Sequence, residues 1–357
     1  MIKTKKYFVL IIMLFSIFLQ SAHSQKTPKN VIFLIGDGMG IAQIYSGMVA
    51  NGNHLELERC TYSGFSKTYS SNNFTTDSGA GGTALACGVK TKNKMIGMTP
   101  DSVAVQSILE LASKNKLSTG IVVACALTHA TPASYIAHQV NREMNEEIAT
   151  DYLKTDIDVM IGGGRKYFED RTDNRNLTNE LKAKNYQIAY TLGDVKAIST
   201  GKLAGLLYDD QNPNMPERGT MLPDATQSAI NILSNNKKGF FLMVEGSQID
   251  WAGHDNNYKQ LIKEMLDFDQ TVGKALDFAK KDGNTLVIIT ADHETGGMTI
   301  LDGKFGTDKL KVVFTSKNHS GVPVPVFAYG PGAENFSGFM ENISFKGKIE
   351  KLLKLKK

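Results

Sequence analysis

The stretch NVIFLIGDG, residues 30–38, is apolar from its second to its sixth residue and continues into glycine and aspartate. Five later stretches are also rich in β-branched or aromatic residues, and most of them end at glycine or an acid: STGIVVACAL, DVMIGGG, KGFFLMVEG, NTLVIITADH and PVPVFAYGPG. A strand without alternating polar residues is covered on both faces, which is typical of parallel sheets packed between helices. The six stretches therefore predict a mainly parallel sheet.

Segments with helical patterns separate these candidate strands. NNYKQLIKEMLDFDQTVGKALDFAKKDG ends at Gly283, a residue type that often follows a helix. DSVAVQSILELASKN offers Asp101 as an N-cap. The chain has no internal repeat and no linker rich in Pro or Ser. We predict one α/β domain over residues 25–357 with three layers, a mostly parallel central sheet and helices on both of its faces.

The N-terminus has the pattern of a secretion signal. Three lysines precede the apolar run FVLIIMLFSIFL, and Ala22 and Ser24 then offer small residues for cleavage. The run is shorter than the ~20 apolar residues that span a bilayer, although a retained N-terminal anchor is the alternative. We expect a signal peptide at residues 1–24 and a secreted or periplasmic protein with no membrane association after cleavage.

Charge and cysteine content exclude some classes of protein. The chain has 40 basic and 36 acidic residues, and removal of three lysines with residues 1–24 leaves 37 against 36, a net charge of +1. Such a balance does not predict nucleic acid as a partner. Cys60, Cys87 and Cys125 are too few and odd in number for a disulfide framework, so each is expected to be a small buried apolar side chain.

Acids, histidines and a hydroxyl collect where the predicted strands end. Singly, each has an ordinary explanation as a turn residue, a helix cap or a surface histidine. The carboxyl ends of parallel strands share one edge of the sheet, and carboxylates gathered there repel one another unless cations neutralise them. The sequence therefore predicts metal ions bound at this edge. The residues are Asp37, His129, Thr131, Glu245, Asp250, His254, Asp292, His293 and His319.

The donor types suggest which metals bind. Histidine nitrogens mixed with carboxylates suit zinc, whereas the oxygen donors of Asp37, Thr131 and Glu245 suit magnesium. Asp250 and His254 are four residues apart, so one helical turn would direct both side chains at the same ion.

Ser78 lies in TTDSGAGGTALACGVKT, residues 75–91, ahead of several residues with almost no side chain. A serine at the first turn of a helix would present its hydroxyl to the metal-lined crevice, and the helix N-terminus would attract an anion. The alternative is a serine cap on a Gly-rich helix. Neither the G-x-S-x-G elbow nor a nucleotide P-loop is present.

These stretches, together with THATPASYIAHQVNR, MVEGSQIDWAGH and KNHSGVPVPVFAYGPGA, resemble the conserved blocks of the alkaline phosphatase family in the same order. The resemblance extends from about Val31 to Ala333. It implies a hydrolase of small phosphate monoesters that works at alkaline pH through a covalent phosphoserine, with two zinc ions and one magnesium ion.

The resemblance also implies residue roles. Ser78 would be the nucleophile, and its oxygen would contact the zinc held by Asp37, Asp292 and His293. Arg142 would bind the phosphate. The remaining ligands would be Asp250, His254 and His319 for the second zinc, and Asp37, Thr131 and Glu245 for magnesium, with His129 in or just outside that last set.

Three departures from the family pattern qualify these expectations. His129 replaces an aspartate of the best-known bacterial members, so the third site is expected to accept zinc or cobalt as well as magnesium. Trp251 replaces lysine or histidine, which is expected to alter phosphate release. The chain is also short, which leaves monomer and homodimer open. The functional alternatives are a phosphodiesterase of the same superfamily and a non-catalytic phosphate- or metal-binding protein.

Overall fold

The computed structural model describes residues 27–356. Fourteen strands are found in this part of the chain: β1 Asn30–Gly36, β2 Tyr62–Lys67, β3 Ser118–Ala126, β4 Val159–Gly163, β5 Tyr186–Ala189, β6 Lys202–Leu206, β7 Phe240–Gly246, β8 Thr285–Thr290, β9 Glu294–Thr295, β10 Met298–Gly303, β11 Leu310–Phe314, β12 His319–Ser320, β13 Val324–Tyr329 and β14 Gly338–Glu341.

The same residues form twelve α-helices: α1 Ile41–Ala50, α2 Ser78–Cys87, α3 Ile108–Lys114, α4 Ala130–Ala133, α5 Asn145–Asp151, α6 Lys166–Glu169, α7 Leu177–Ala183, α8 Leu192–Ala197, α9 Met221–Leu233, α10 Gln248–His254, α11 Tyr258–Asp282 and α12 Ser344–Leu353. Two short 3₁₀ helices lie at Glu56–Arg59 and Ala333–Phe336.

Ten strands form one central sheet in the order β14-β2-β13-β8-β1-β7-β3-β4-β6-β5. Of the ten, β13 alone is antiparallel to its neighbours, β2 and β8. The other pairings in this sheet are parallel. The predicted mostly parallel sheet is therefore confirmed, and the six predicted strands all belong to it.

Helices cover both faces of the sheet, as the side chains of β1 show. Phe33 and Ile35 belong to a core that includes Leu85 of α2 and Phe345 of α12. Ile32 and Leu34 point to the other face and belong to a core with helices α9 and α11. Because successive strand residues face opposite sides, a continuous apolar strand supplies both cores. This arrangement confirms the three-layer α/β class.

One helix start differs from the prediction. The α3 helix begins at Ile108, not after Asp101, because Ser107 and Glu110 form a capping box. Ser107 Oγ accepts a hydrogen bond from Glu110 N at 3.1 Å, and Glu110 Oε2 accepts one from Ser107 N at 2.7 Å. Two satisfied backbone donors favour this start over a single aspartate cap. The predicted end of α11 is confirmed, with Gly283 at φ 66° directly after the helix.

None of the helices in residues 27–356 is both long enough and apolar enough to cross a membrane. The predicted signal peptide at residues 1–24 lies outside the described residues, and the predicted domain boundaries stay predictions.

Candidate active site

The central strands bring the predicted ligands together. Strand β1 lies between β7 and β8 and is parallel to both, so the carboxyl ends of all three strands meet. Asp37 follows β1, Glu245 lies near the end of β7, and His293 follows β8. All three residues have no exposed surface. The sheet order therefore explains how residues more than two hundred positions apart share one crevice.

Asp37, Asp292 and His293 form what we call the inner cluster. His293 Nε2 lies 3.3 Å from Asp37 Oδ1 and 3.2 Å from Asp292 Oδ2. Neither of these carboxylate oxygens has a hydrogen-bond partner among the described residues, although both are buried. Burial of a charged oxygen without a partner costs desolvation free energy. A cation at this point would offset that cost by interacting directly with both carboxylate oxygens.

Ser78 is the first residue of α2 and faces the inner cluster. Its Oγ lies 3.3 Å from His293 Nε2, and the residue is 2% exposed. Asp77 caps the helix by accepting a hydrogen bond from Ala80 N at 2.9 Å. The small residues behind Ser78 permit close packing, since a Cβ added to Gly81 would lie 3.1 Å from Asp292 Cβ. The predicted position of Ser78 in the first turn of a helix is confirmed.

Asp250, His254 and His319 form the outer cluster. Asp250 and His254 are one turn apart in α10, as their spacing predicted, and His319 begins β12. His254 Nε2 lies 3.4 Å from Asp250 Oδ2, and His319 Nε2 lies 3.5 Å from Asp250 Oδ1. The two Nε2 atoms are 3.1 Å apart. The donor atoms of three residues thus converge from two parts of the chain.

The spacing of the donors fits zinc. Tetrahedral zinc with Zn–N bonds of 2.0–2.1 Å places neighbouring ligand atoms about 3.3 Å apart. The contacts of the inner and outer clusters, between 3.1 and 3.5 Å, are close to this value. The clusters adjoin, since the rings of His293 and His319 stack with centroids 3.5 Å apart. The residues therefore fit a pair of zinc ions in neighbouring positions.

A third group of donors lies beside the inner cluster. Thr131 Oγ1 donates a hydrogen bond to Asp37 Oδ2 at 3.3 Å. Glu245 Oε1 and His129 Nδ1 are buried without hydrogen-bond partners among the described residues. His129 and Glu245, together with Cys125, offer atoms that all lie within 4.8 Å of one another. These residues fit a third cation.

Burial changes the pKa values of these groups. Burial, followed by repulsion from Asp292 and Asp250, raises the pKa of Asp37 well above its ordinary value. Burial also raises the pKa of Glu245 to about 7. Burial lowers the pKa of His129 to about 4, with nearby Arg142 adding to the effect, so its imidazole is neutral at pH 7. A bound cation would favour ionised carboxylates and neutral imidazole, the forms that act as ligands.

Arg142 lies beside the residue that caps the N-terminus of α2. Its NH1 lies 3.3 Å from Asp77 Oδ2, and its NH2 lies 3.4 Å from His129 Nε2. The side chain is 19% exposed. Arg142 is thus held near the N-terminus of α2 and beside His129 with a partly exposed side chain, and a guanidinium in this position suits an anion.

Two residues near the clusters were missed by the sequence reasoning. Asp77 joins the cap of α2 to Arg142, and its position directly before Ser78 was a usable signal. Thr295 Oγ1 donates a hydrogen bond to Asp250 Oδ1 and lies 3.3 Å from His293 Nδ1. No pattern in the sequence distinguishes Thr295, because only the turn after β8 brings it to Asp250. Trp251 packs edge-on against His129, with ring centroids 5.9 Å apart.

Comparisons with known proteins agree on one family. A family model described as alkaline phosphatase matches residues 28–310. The chain is 37% identical to alkaline phosphatase 4 of Bacillus subtilis, over 91% of this chain and 89% of that protein.

Solved structures agree as well. The alkaline phosphatase of the Antarctic bacterium TAB5 is 45% identical, with a TM-score of 0.89 over 93% of this chain and 100% of that one. A variant of the TAB5 enzyme with a histidine replaced by aspartate, described with Mg bound in its M3 site, is 44% identical with a TM-score of 0.88, over 94% of this chain and 100% of the other. The family match and these likenesses cover most of the chain. The protein therefore belongs to the alkaline phosphatase family and is a metal-binding phosphoric monoester hydrolase.

Proposed function

We propose that this enzyme hydrolyses small phosphate monoesters through a covalent phosphoserine formed at Ser78. The observation that carries this proposal is the 3.3 Å contact between Ser78 Oγ and His293 Nε2. It places a buried hydroxyl at the convergence point of the inner cluster and at the first turn of a helix. Such a position supplies both a nucleophile and an anion-binding helix terminus.

We propose three metal sites. The inner cluster of Asp37, Asp292 and His293 would hold one zinc ion, with Ser78 Oγ as a further ligand. The outer cluster of Asp250, His254 and His319 would hold the second. When bound, such ions stabilise the negative charge of attacking and departing oxygens. The third ion would be held by Asp37, Thr131 and Glu245, with His129 beside them, and magnesium, zinc or cobalt are the candidates.

The side chains of the protein then divide the work as follows. Arg142 binds two phosphoryl oxygens with its planar guanidinium, oriented by Asp77. The Ser78 hydroxyl gives its proton to water as its oxygen bonds to phosphorus. The bond to the ester oxygen breaks in the same step, and the departing alkoxide takes a proton from water and leaves as the alcohol. A water molecule next attacks the phosphoserine. This second step releases inorganic phosphate and restores the Ser78 hydroxyl.

The residues outside this centre support two further proposals. We propose cleavage after residue 24 and function outside the cytoplasm, on the pattern of three lysines, an apolar run and small residues. Sedimentation of the mature protein would distinguish a monomer from a homodimer.

The test is an assay of the mature protein with an aryl phosphate and an aryl phosphodiester at alkaline pH. The protein is assayed as purified, after removal of metals, and after addition of zinc and magnesium. We expect monoester turnover that is lost with the metals and restored with them. A higher kcat/KM for the diester would indicate the phosphodiesterase instead. Absence of turnover with every metal would indicate a phosphate- or metal-binding protein without catalysis.

A further inference from the structure

The third group of donors includes Cys125, a buried cysteine that the phosphatase reaction does not require. Cys125 Sγ lies 3.4 Å from Glu245 Oε2 and donates a hydrogen bond to it. Both residues have no exposed surface, and Cys125 is a free cysteine. Sequence reasoning treated Cys125 only as a small apolar residue. A small apolar residue would have only apolar neighbours, whereas the Cys125 sulfur contacts a carboxylate oxygen.

The sheet explains why Cys125 reaches this place. Strands β3 and β7 are parallel neighbours, with Val123 opposite Glu245. Cys125 is two residues further along β3, so its side chain is on the same face as that of Val123. His129 follows β3 and is the N-cap residue of α4. Strand pairing and the short turn after β3 thus bring the sulfur, the imidazole and the carboxylate together.

Two atoms of this third group that could bind a metal have no hydrogen-bond partner in the part of the chain that the structure describes. Glu245 Oε1 and His129 Nδ1 are buried and lack hydrogen-bond partners among the described residues. Cys125, His129 and Glu245 each offer one atom, and these atoms all lie within 4.8 Å of one another. Two buried polar atoms without partners beside a thiol are typical of a cation site and not of a packed core.

We propose that Cys125 is a further ligand of the third metal ion, added to the donors named above on the side of His129 and Glu245, and that this site selects zinc or cobalt over magnesium. Sulfur and imidazole nitrogen are preferred by borderline-soft ions, whereas magnesium prefers oxygen donors. The thiol proton passes to water when the ion binds, since the thiolate is the ligand form. This inference rests on the proposed third site.

The sulfur makes the test specific. Among residues 27–356, the inner and outer clusters contain no cysteine, so a bond between cobalt and sulfur would report on the third site. The metal-free protein is loaded with cobalt, and absorption is recorded in the near ultraviolet for the sulfur-to-cobalt band. We expect the band in the wild type and in Cys87→Ser, and its loss in Cys125→Ser. Cys87 is a matched control because it is also buried, at 2% exposure, and its sulfur donates hydrogen bonds only to backbone carbonyl oxygens among the described residues.

A competition experiment measures the selectivity. Zinc and magnesium are titrated against each other, with metal content read by elemental analysis. We expect Cys125→Ser to lower the ratio of zinc affinity to magnesium affinity at the third site by about tenfold or more. Changes to residues that only support metal ligands already alter affinity on this scale. Visible cobalt absorption from the other two sites shows that the variant is folded.

Two outcomes separate this inference from the proposed function. Phosphate ester turnover without the near-ultraviolet band in the wild type would overturn the role of Cys125 and leave the phosphatase proposal intact. The band without turnover of any phosphate ester would support the metal site and contradict the proposed reaction. A band that persists in Cys125→Ser would also overturn the inference, because another sulfur would then be the ligand.

Discussion

The Nε2 atoms of His254 and His319 face each other at 3.1 Å. On the far side of each ring, Nδ1 donates to a backbone carbonyl, that of Lys317 at 2.6 Å and that of Thr76 at 2.8 Å. The carbonyls orient both rings with Nε2 toward Asp250. The hydrogen bond to Asp250 raises the pKa of His254 to about 9, while burial lowers that of His319 to about 4. At pH 7 one ring thus carries a proton at the contact, and a zinc ion would replace that proton.

Replacement of His319 by alanine should remove one metal ion. The variant loses one of the three donors of the outer cluster, so we expect zinc affinity at this site to fall by about tenfold or more. The zinc content of the purified protein after dialysis is the measurement. His54→Ala is the control, since His54 is exposed and pairs only with Glu58 among the described residues. Equal zinc content in His319→Ala and wild type would remove His319 from the ligand set.

Replacement of Ser78 by alanine should abolish the phosphoenzyme without emptying the metal sites. The change removes one oxygen from α2. Asp37 follows β1, and the other five carboxylate and histidine donors of the two zinc positions lie in α10, in β12 and in the turn after β8, so none of them is altered. The protein is mixed with a labelled phosphate ester, quenched in acid and mapped by mass spectrometry. We expect the label on Ser78 in the wild type and none in the variant, with unchanged zinc content. Label on another residue would contradict the assignment.

Replacement of Arg142 by alanine should weaken inhibition by inorganic phosphate. The lost contact is a hydrogen bond between charged groups, so the inhibition constant should rise by an amount equivalent to about 2–3 kcal/mol. Arg142→Lys should recover only part of this, because lysine has no planar pair of donors. Steady-state inhibition kinetics give both values.

Asp77→Asn is the companion variant. Asparagine caps a helix about as well as aspartate, so α2 should stay intact while the charge that pairs with Arg142 is lost. We expect a smaller rise in the phosphate inhibition constant than in Arg142→Ala. An inhibition constant that does not change in Arg142→Ala would exclude Arg142 from phosphate binding.

Glu245→Gln should alter how the stability of the metal-free protein depends on pH. Burial raises the pKa of Glu245 from 4.5 to about 7, so the folded state holds this proton more tightly than the unfolded state does. The resulting stability is complete below pH 4.5 and is lost as pH rises through about 7. Glutamine does not ionise. The difference in unfolding free energy, variant minus wild type, should therefore increase by up to about 3 kcal/mol between pH 4.5 and pH 8.

Urea unfolding at several pH values measures this difference. Glu143→Gln serves as the control, because the Glu143 side chain is 74% exposed. A difference between Glu245→Gln and wild type that does not change with pH would show that Glu245 ionises normally in the folded protein. Addition of zinc and magnesium should remove the advantage of the variant, since the cations favour the ionised carboxylate.

Much of the fold could be predicted because a strand buried on both faces appears in the sequence as an uninterrupted apolar run. The six apolar stretches became strands of the central sheet, and Gly283 marked the end of α11. Shorter and half-exposed strands have no such apolar run. The hairpin of β10 and β11 and the pair of β9 and β12 each depend on a partner elsewhere in the chain, so the local pattern did not reveal them. The start of α3 was also missed, although the capping box of Ser107 and Glu110 was visible in the sequence.

The sequence by itself determined the class of fold, the nature of the donors and the family, because these depend on residue type and local spacing. Asp250 and His254 had to share a helical turn wherever the helix lay. The tertiary structure alone decided which donors meet. Strand order placed β1 between β7 and β8, and parallel pairing of β3 with β7 carried Cys125 to Glu245. Such contacts join residues 120 positions apart, and no local propensity encodes a distance between them.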